Sequence, residues 1–174
     1  MTAWWLALAA LSLDAVLGEP RRWHPLAAFG AWAAAAERGW NRGGGGARRL
    51  KGALAVVVLV APPAALVGLL AAFPGLGPLV AVAVLYLCLG LRSLDEHARP
   101  VATALTAGDL SAARAAVAGL VSRDTDHLDE RSVARAAVET VLENGADAVL
   151  ATLFWFAVAG PAGALAHRLV NTLD

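Results

Sequence analysis

Between Ala53 and Leu91 the chain carries no charged residue. An uncharged apolar stretch of that length has few folded solutions, because a bilayer-crossing helix needs only about 20 predominantly apolar residues. Residues 53–73 and 76–91 read as two spans joined by the tight uncharged link "FPGLGP", a transmembrane helical hairpin. Pro62-Pro63 predicts a kink near the middle of the first span. The rest of the chain fits an all-α, polytopic integral membrane protein. It is 59% hydrophobic, with a mean hydropathy of +0.62 over 174 residues, against about 45–50% apolar for an ordinary soluble domain. A net charge of zero gives no footprint for nucleic acid. The single Cys88 excludes a disulfide within one chain.

Charge placement orients the spans. Arg21, Arg22, Arg38, Arg42, Arg48, Arg49 and Lys51 precede the hairpin, and Arg92, Arg99, Arg114, Arg123, Arg131 and Arg135 follow it. The hairpin tip carries none, so the positive-inside rule puts both flanks in the cytoplasm. Residues 1–18 form a further membrane segment, a span or half-span, since no Lys or Arg precedes them to make a signal peptide. The glycine run in "NRGGGGARR" reads as a flexible linker, with no helix expected across it. Residues 92–147 read as cytoplasmic helices, with Asp109 and Asp129 as N-caps. Residues 148–170 are apolar but interrupted by "AGPAG", and each half is too short to span at 1.5 Å per residue. The segment either crosses once with a kink or dips in and returns.

Four places could carry chemistry. "LDAVLGEPRRWHP" sets Asp14, Glu19 and His24 at a membrane exit. A helix terminus with a solvated acidic turn, and His24 as an interfacial side chain, is the simpler reading from spacing alone. "SRDTDHLDE" packs Arg123, able to grip a phosphate, beside Asp124 and Thr125, although a capped polar loop accounts for the same letters. Arg135, Glu139, Glu143 and Asp147 recur every four residues, one slowly turning helix stripe with Asn144 beside it. Arg135 and Glu139 can pair, but Glu143 and Asp147 have no partner in the helix. Acids at the mouth of an apolar segment are costly and suggest a site, although a wet interfacial helix face accounts for them as well. The C-terminal "HRLVNTLD" adds Asn171 and Asp174.

In order, "LDAVLGEPRRWHP", "SLDEHARPVATALTAGDLSAAR", "SRDTDHLDE" and "ARAAVETVLENGADAVLATLFWFAVAGPAGALAHRLVNTLD" resemble the adenosylcobinamide-phosphate synthase family, the CobD/CbiB membrane proteins of cobalamin biosynthesis. The likeness covers essentially the whole chain and is most specific over 122–174. Ser122 stands where members usually have Gly. Members also continue past "NTLD", so the chain is expected to be an N-terminal portion, truncated at its C-terminus.

The resemblance implies an ATP- and Mg²⁺-dependent ligase at the bacterial inner membrane. It would join a propionate carboxylate of adenosylcobyric acid to aminopropanol or aminopropanol phosphate. It further implies Asp124, Glu139, Glu143 and Asp147 as catalytic groups. Arg123, Thr125, His24, Asn144 and Asn171 would contact substrate or phosphate, and Asp14, Glu19 and Asp174 would serve Mg²⁺. A single cytoplasmic site then favours the re-entrant form of 148–170, turning at Gly160-Pro161. The lipid bilayer is the expected setting. A homo-oligomer, or association with other cobalamin-pathway proteins, stays open. The competing readings are a non-catalytic sensory or structural membrane protein, which has no use for the acidic motifs, and a transporter, which would bury its acids deep in the spans.

Overall fold

A computed structural model describes residues 4–20, 24–40 and 45–173, with the side chains of 40 and 45–49 left out. Arg21, Arg22, Arg42 and Asp174, and the side chains of Arg48 and Arg49, therefore lie outside the description. The described residues form helices and turns, with no strand. Three stretches are long and apolar enough to cross a membrane: Leu50–Ala71, Gly77–Thr106 and Glu130–Leu173. Their outward faces carry large apolar side chains such as Leu54, Val57, Leu69, Leu79, Phe154 and Val158. In water that surface would be a liability, whereas against acyl chains it costs nothing. The chain is an all-α polytopic membrane protein.

Helix α1 (Trp4–Leu17) is 14 residues, about 21 Å, shorter than the hydrocarbon thickness of about 30 Å. Helix α2 (Pro25–Trp40) opens with proline at its first position, where no intrahelical N–H is required. Helix α3 (Gly45–Ala71) continues through Pro62 and Pro63 without interruption. It also begins at Gly45, so the second part of the expected linker is helical, while residues 41–44 lie outside the description. The first turn of a helix needs no internal acceptor for its N–H groups, so glycine is tolerated at that end. Helix α4 (Gly77–Cys88) returns beside α3. Leu89 and Gly90 leave helical geometry, and helix α5 (Leu91–Thr106) departs at a new angle.

Helices α5, α6 (Leu110–Ala118) and α7 (Glu130–Gly145) make a polar-faced three-helix unit. Its core is Val101, Ala104, Ala113, Val117, Val133 and Ala136. Asp109 and Asp129 cap α6 and α7, accepting from Ala112 N–H at 2.9 Å and Ser132 N–H at 2.8 Å. The Ser132 bonds hold the Asp129 carboxyl below its ordinary pKa.

A π-helical turn, Ala146–Ala151, follows α7 directly and runs into α8 (Thr152–Leu173). Helix α8 is two limbs. Ala159 sits at φ −131°, ψ 16°, and Gly160 at φ 65°, ψ −158°, a combination essentially restricted to glycine. Pro161 then starts the second limb. A Cβ on Gly163 would stand 2.6 Å from both the Trp155 carbonyl oxygen and the Ala159 Cβ, so the limbs meet where only a hydrogen fits. Further along, Asn171 touches Asp147. A straight helix would hold residues 24 apart at about 36 Å. The segment therefore turns back on itself. Its returning limb buries Ala164 against Ala10, Leu85 and Leu89, and Leu169 against Leu26 and Val60. It is the post against which α2, α3 and α4 pack, while α1 packs mainly on α4.

Candidate functional site

The turn of α8 and the bend at Leu89-Gly90 leave a cleft between the membrane helices and the three-helix unit. It has two adjoining chambers. One, about 330 Å³, is lined by residues including Asn144, Asp147 and Asn171. The other, about 450 Å³, includes His24, Glu96 and Thr172. Glu19, Ser93, His97 and Arg168 border both. Glu19, Pro20 and His24 thus share one space with segments from residues 93–97, 144–147 and 168–172.

Each wall has a local cause. The π-helical turn inserts an extra residue per turn, a form of helix distortion frequent at functional sites. Within it the Asp147 carbonyl oxygen accepts from Thr152 Oγ1 at 3.1 Å and from His167 Nε2 at 3.0 Å. The widened turn also breaks the four-residue stripe between Glu143 and Asp147. Asp147 lines the cleft, and its Oδ2 accepts from Asn171 Nδ2 at 3.0 Å. Asn171 Oδ1 in turn accepts from Arg168 Nη1 at 3.1 Å. Glu19 lies over Gly90, where a Cβ would stand 2.9 Å from its Oε1. His24 Nδ1 accepts from Leu26 N–H at 3.2 Å, which leaves the ring proton on Nε2. That Nε2 is buried and has no partner, as is Arg168 Nε.

The remaining residues singled out from the sequence stand elsewhere. Asp14 is fully buried behind the cleft. Its Oδ2 accepts from Arg92 N–H at 3.0 Å, capping α5 from another helix, while Oδ1 has no partner. The Arg92 side chain bonds back to the Ala15 and Val16 carbonyls at the end of α1. Asp14 is thus a clasp between α1 and α5. Arg123 and Glu139 are exposed and face each other at 3.8 Å outside the cleft, so Glu139 meets Arg123 rather than Arg135. Glu143 is exposed and borders neither chamber. Asp124 is exposed, its Oδ1 accepting from Asp126 N–H at 3.1 Å. Thr125 is buried and donates to the Arg114 carbonyl at 3.2 Å, pinning its loop to α6.

The cleft brings together Glu19, His24, Asn144, Asp147 and Asn171 of the expected set. It adds Ser93, His97 and Arg168. The signal for Arg168 was present in the sequence: an arginine within an apolar run is as costly as the acids that drew attention. Among the described residues no three His, Cys, Asp or Glu side chains cluster as a metal site. Glu19 and Asp147 still bring two carboxylates to the cleft wall, and Mg²⁺ on a nucleotide needs one or two carboxylates beside the phosphates.

Comparison with known proteins gives the family. The model for the CobD/CbiB protein family matches residues 7–174. Cobalamin biosynthesis protein CobD of Stutzerimonas stutzeri is 53% identical over 174 residues, all of this chain and 57% of that protein. The Chromobacterium violaceum protein of the same name is 52% identical over 170 residues, 95% of this chain and 54% of its own. That of Rhodobacter capsulatus is 40% identical over 179 residues, 97% of this chain and 56% of its own. The chain thus spans a little over half the length of these relatives. No solved structure matches it. A match over nearly every residue, the four cleft-forming segments included, shows that the chain belongs to the CobD/CbiB family.

Proposed function

We propose that the cleft serves cobalamin biosynthesis as the site, or part of the site, of an ATP-dependent amide ligase. A propionate carboxylate of adenosylcobyric acid attacks the γ-phosphorus of ATP, and ADP leaves. The amine of aminopropanol, or of aminopropanol phosphate, then attacks the acyl phosphate. Inorganic phosphate leaves, the amine proton passes to a base, and adenosylcobinamide or its phosphate is formed. Such phosphoryl transfer is mainly positioning and charge neutralisation. Mg²⁺ would neutralise the phosphates, with Glu19 and Asp147 as the carboxylates at hand. Asp147, its carboxylate oriented by the Asn171 amide, would serve as the base that takes the amine proton.

The observation that carries this reading is the convergence of four distant segments on one polar cleft at the edge of apolar helices. A helix surface without a site has no need to gather them. We further infer that the cleft faces the cytoplasm of a bacterial inner membrane. The Arg-bearing segments flank it, and 148–170 turns back as a re-entrant hairpin whose limbs, about 13 residues each, reach about 20 Å, less than the hydrocarbon thickness of about 30 Å.

The test is rescue of cobalamin synthesis in a strain lacking this step. It is run with the chain alone and with the chain joined to the part of the Stutzerimonas relative that the match leaves uncovered. Asp147→Asn should lower the rate of amide formation about 100-fold or more. No rescue in either form, or a full rate in Asp147→Asn, would reject the assignment.

A further inference from the structure

We propose that Arg168 is the phosphate anchor of the cleft and that Asn171 is the residue that positions it. Arg168 is half-buried and borders both chambers. Its one described bond is to a neutral amide, Asn171 Oδ1 at 3.1 Å, and its Nε lies buried without an acceptor. Among the described residues no carboxylate stands within ion-pair reach of it. A partly desolvated guanidinium with no counter-ion is unfavourable until an anion arrives.

The amide explains why no counter-ion is already there. Asn171 donates to Asp147 with one end and accepts from Arg168 with the other. It stands between an acid and a base that would otherwise neutralise each other. Both charges are thereby kept available to the cleft, on opposite sides of one fixed side chain.

The chemistry around Arg168 selects phosphate. The guanidinium offers N–H groups in a planar fork suited to two oxygens of one group. Ser93 brings a hydroxyl to the same chamber. His24 brings an Nε2–H that has no acceptor, just beneath the chamber wall. Three kinds of donor match the three terminal oxygens of a phosphate ester. Glu96, which borders the same chamber, is held by Arg92 at 2.7 Å and so does not stand as an uncompensated repelling charge.

The phosphate could belong to a nucleotide or to a phosphorylated amino alcohol. Only that choice rests on the reaction proposed above; the anchoring does not. The experiment is equilibrium binding by calorimetry to the 174-residue chain in lipid nanodiscs. The probes are MgATP, a phosphorylated amino alcohol, and the same amino alcohol without phosphate. Arg168→Gln should weaken at least one phosphorylated probe about 10- to 100-fold, the range set by losing hydrogen bonds to a charged group. Arg168→Lys should weaken it less, which separates lost anchoring from lost folding. Asn171→Ala should also weaken it, by letting the guanidinium swing onto Asp147. Arg99→Gln, an exposed arginine paired with Asp95, should change nothing. The probe that responds identifies the source of the phosphate. Binding through Arg168 without amide synthesis would sustain the anchor and reject only the reaction. The anchor is overturned if the wild-type chain binds neither phosphorylated probe saturably at millimolar concentration, or if Arg168→Gln binds both as the wild type does.

Discussion

Glycine-to-alanine substitutions at three positions should give opposite signs, depending on what the added methyl meets. At Gly160 the backbone lies at φ 65°, ψ −158°. Alanine avoids that region, and holding it there costs about 1–3 kcal/mol. At Gly163 the new Cβ would stand 2.6 Å from the Trp155 carbonyl oxygen and from the Ala159 Cβ. Backbone on one side and a side chain anchored at the bend on the other leave little room to yield. Forcing a methyl into such a contact costs about 1–3 kcal/mol. Both substitutions are relieved by opening the same turn, so the double variant should lose less than the sum of the singles. At Gly52, inside α3, an added Cβ meets nothing within 4 Å. There alanine should stabilise by up to about 1 kcal/mol, through helix propensity alone. Unfolding of the purified chain in mixed micelles, followed by tryptophan fluorescence, reads all three. Equal effects at the three sites, or a stabilised Gly163→Ala, would refute the close approach of the two limbs.

Two further predictions concern the supports of the cleft. Asp14→Ala leaves the part-buried Arg92 N–H without its acceptor and should cost about 1–3 kcal/mol; an unchanged unfolding midpoint would remove Asp14 as the clasp between α1 and α5. Asp129 has a lowered folded-state pKa, so its contribution to the α7 cap is fully present above its ordinary value of 3.8 and is lost as pH falls through the lower folded value. Asp129→Asn should flatten the acid end of the stability profile; a profile identical to wild type contradicts the cap.

The sequence exposed those features that are decided locally. Uncharged runs marked the hairpin of α3 and α4. Asp109 and Asp129 announced their helices because a cap needs only a side-chain oxygen three residues before an N–H. "AGPAG" marked the break in α8, since a glycine and a proline in that order cannot continue a helix smoothly. Features decided by partners far along the chain stayed hidden. At the π-helical turn the Asp147 carbonyl is held by Thr152 and by His167, 20 residues away. Without that knowledge Glu139, Glu143 and Asp147 form one stripe, and only Asp147 of the three reaches the cleft. Asp14 reads as a candidate ligand until Arg92, 78 residues later, is found on it. Arg123, Asp124 and Thr125 form a dense polar motif, yet their partners are Glu139, Asp126 and the Arg114 carbonyl. Density of polar letters did not separate a site from a well-bonded loop.

The cleft exists only if residue 171 returns to the side of residue 147. Both Ala146 and Val170 are exposed on opposite limbs, so each accepts a nitroxide label on an introduced cysteine, with Cys88→Ala removing the native thiol. Pulsed electron–electron distance measurement on the chain in nanodiscs should give one narrow population at the short end of the accessible range. A population near 36 Å, the span of 24 residues in an unbroken helix, would contradict the cleft and every function assigned to it.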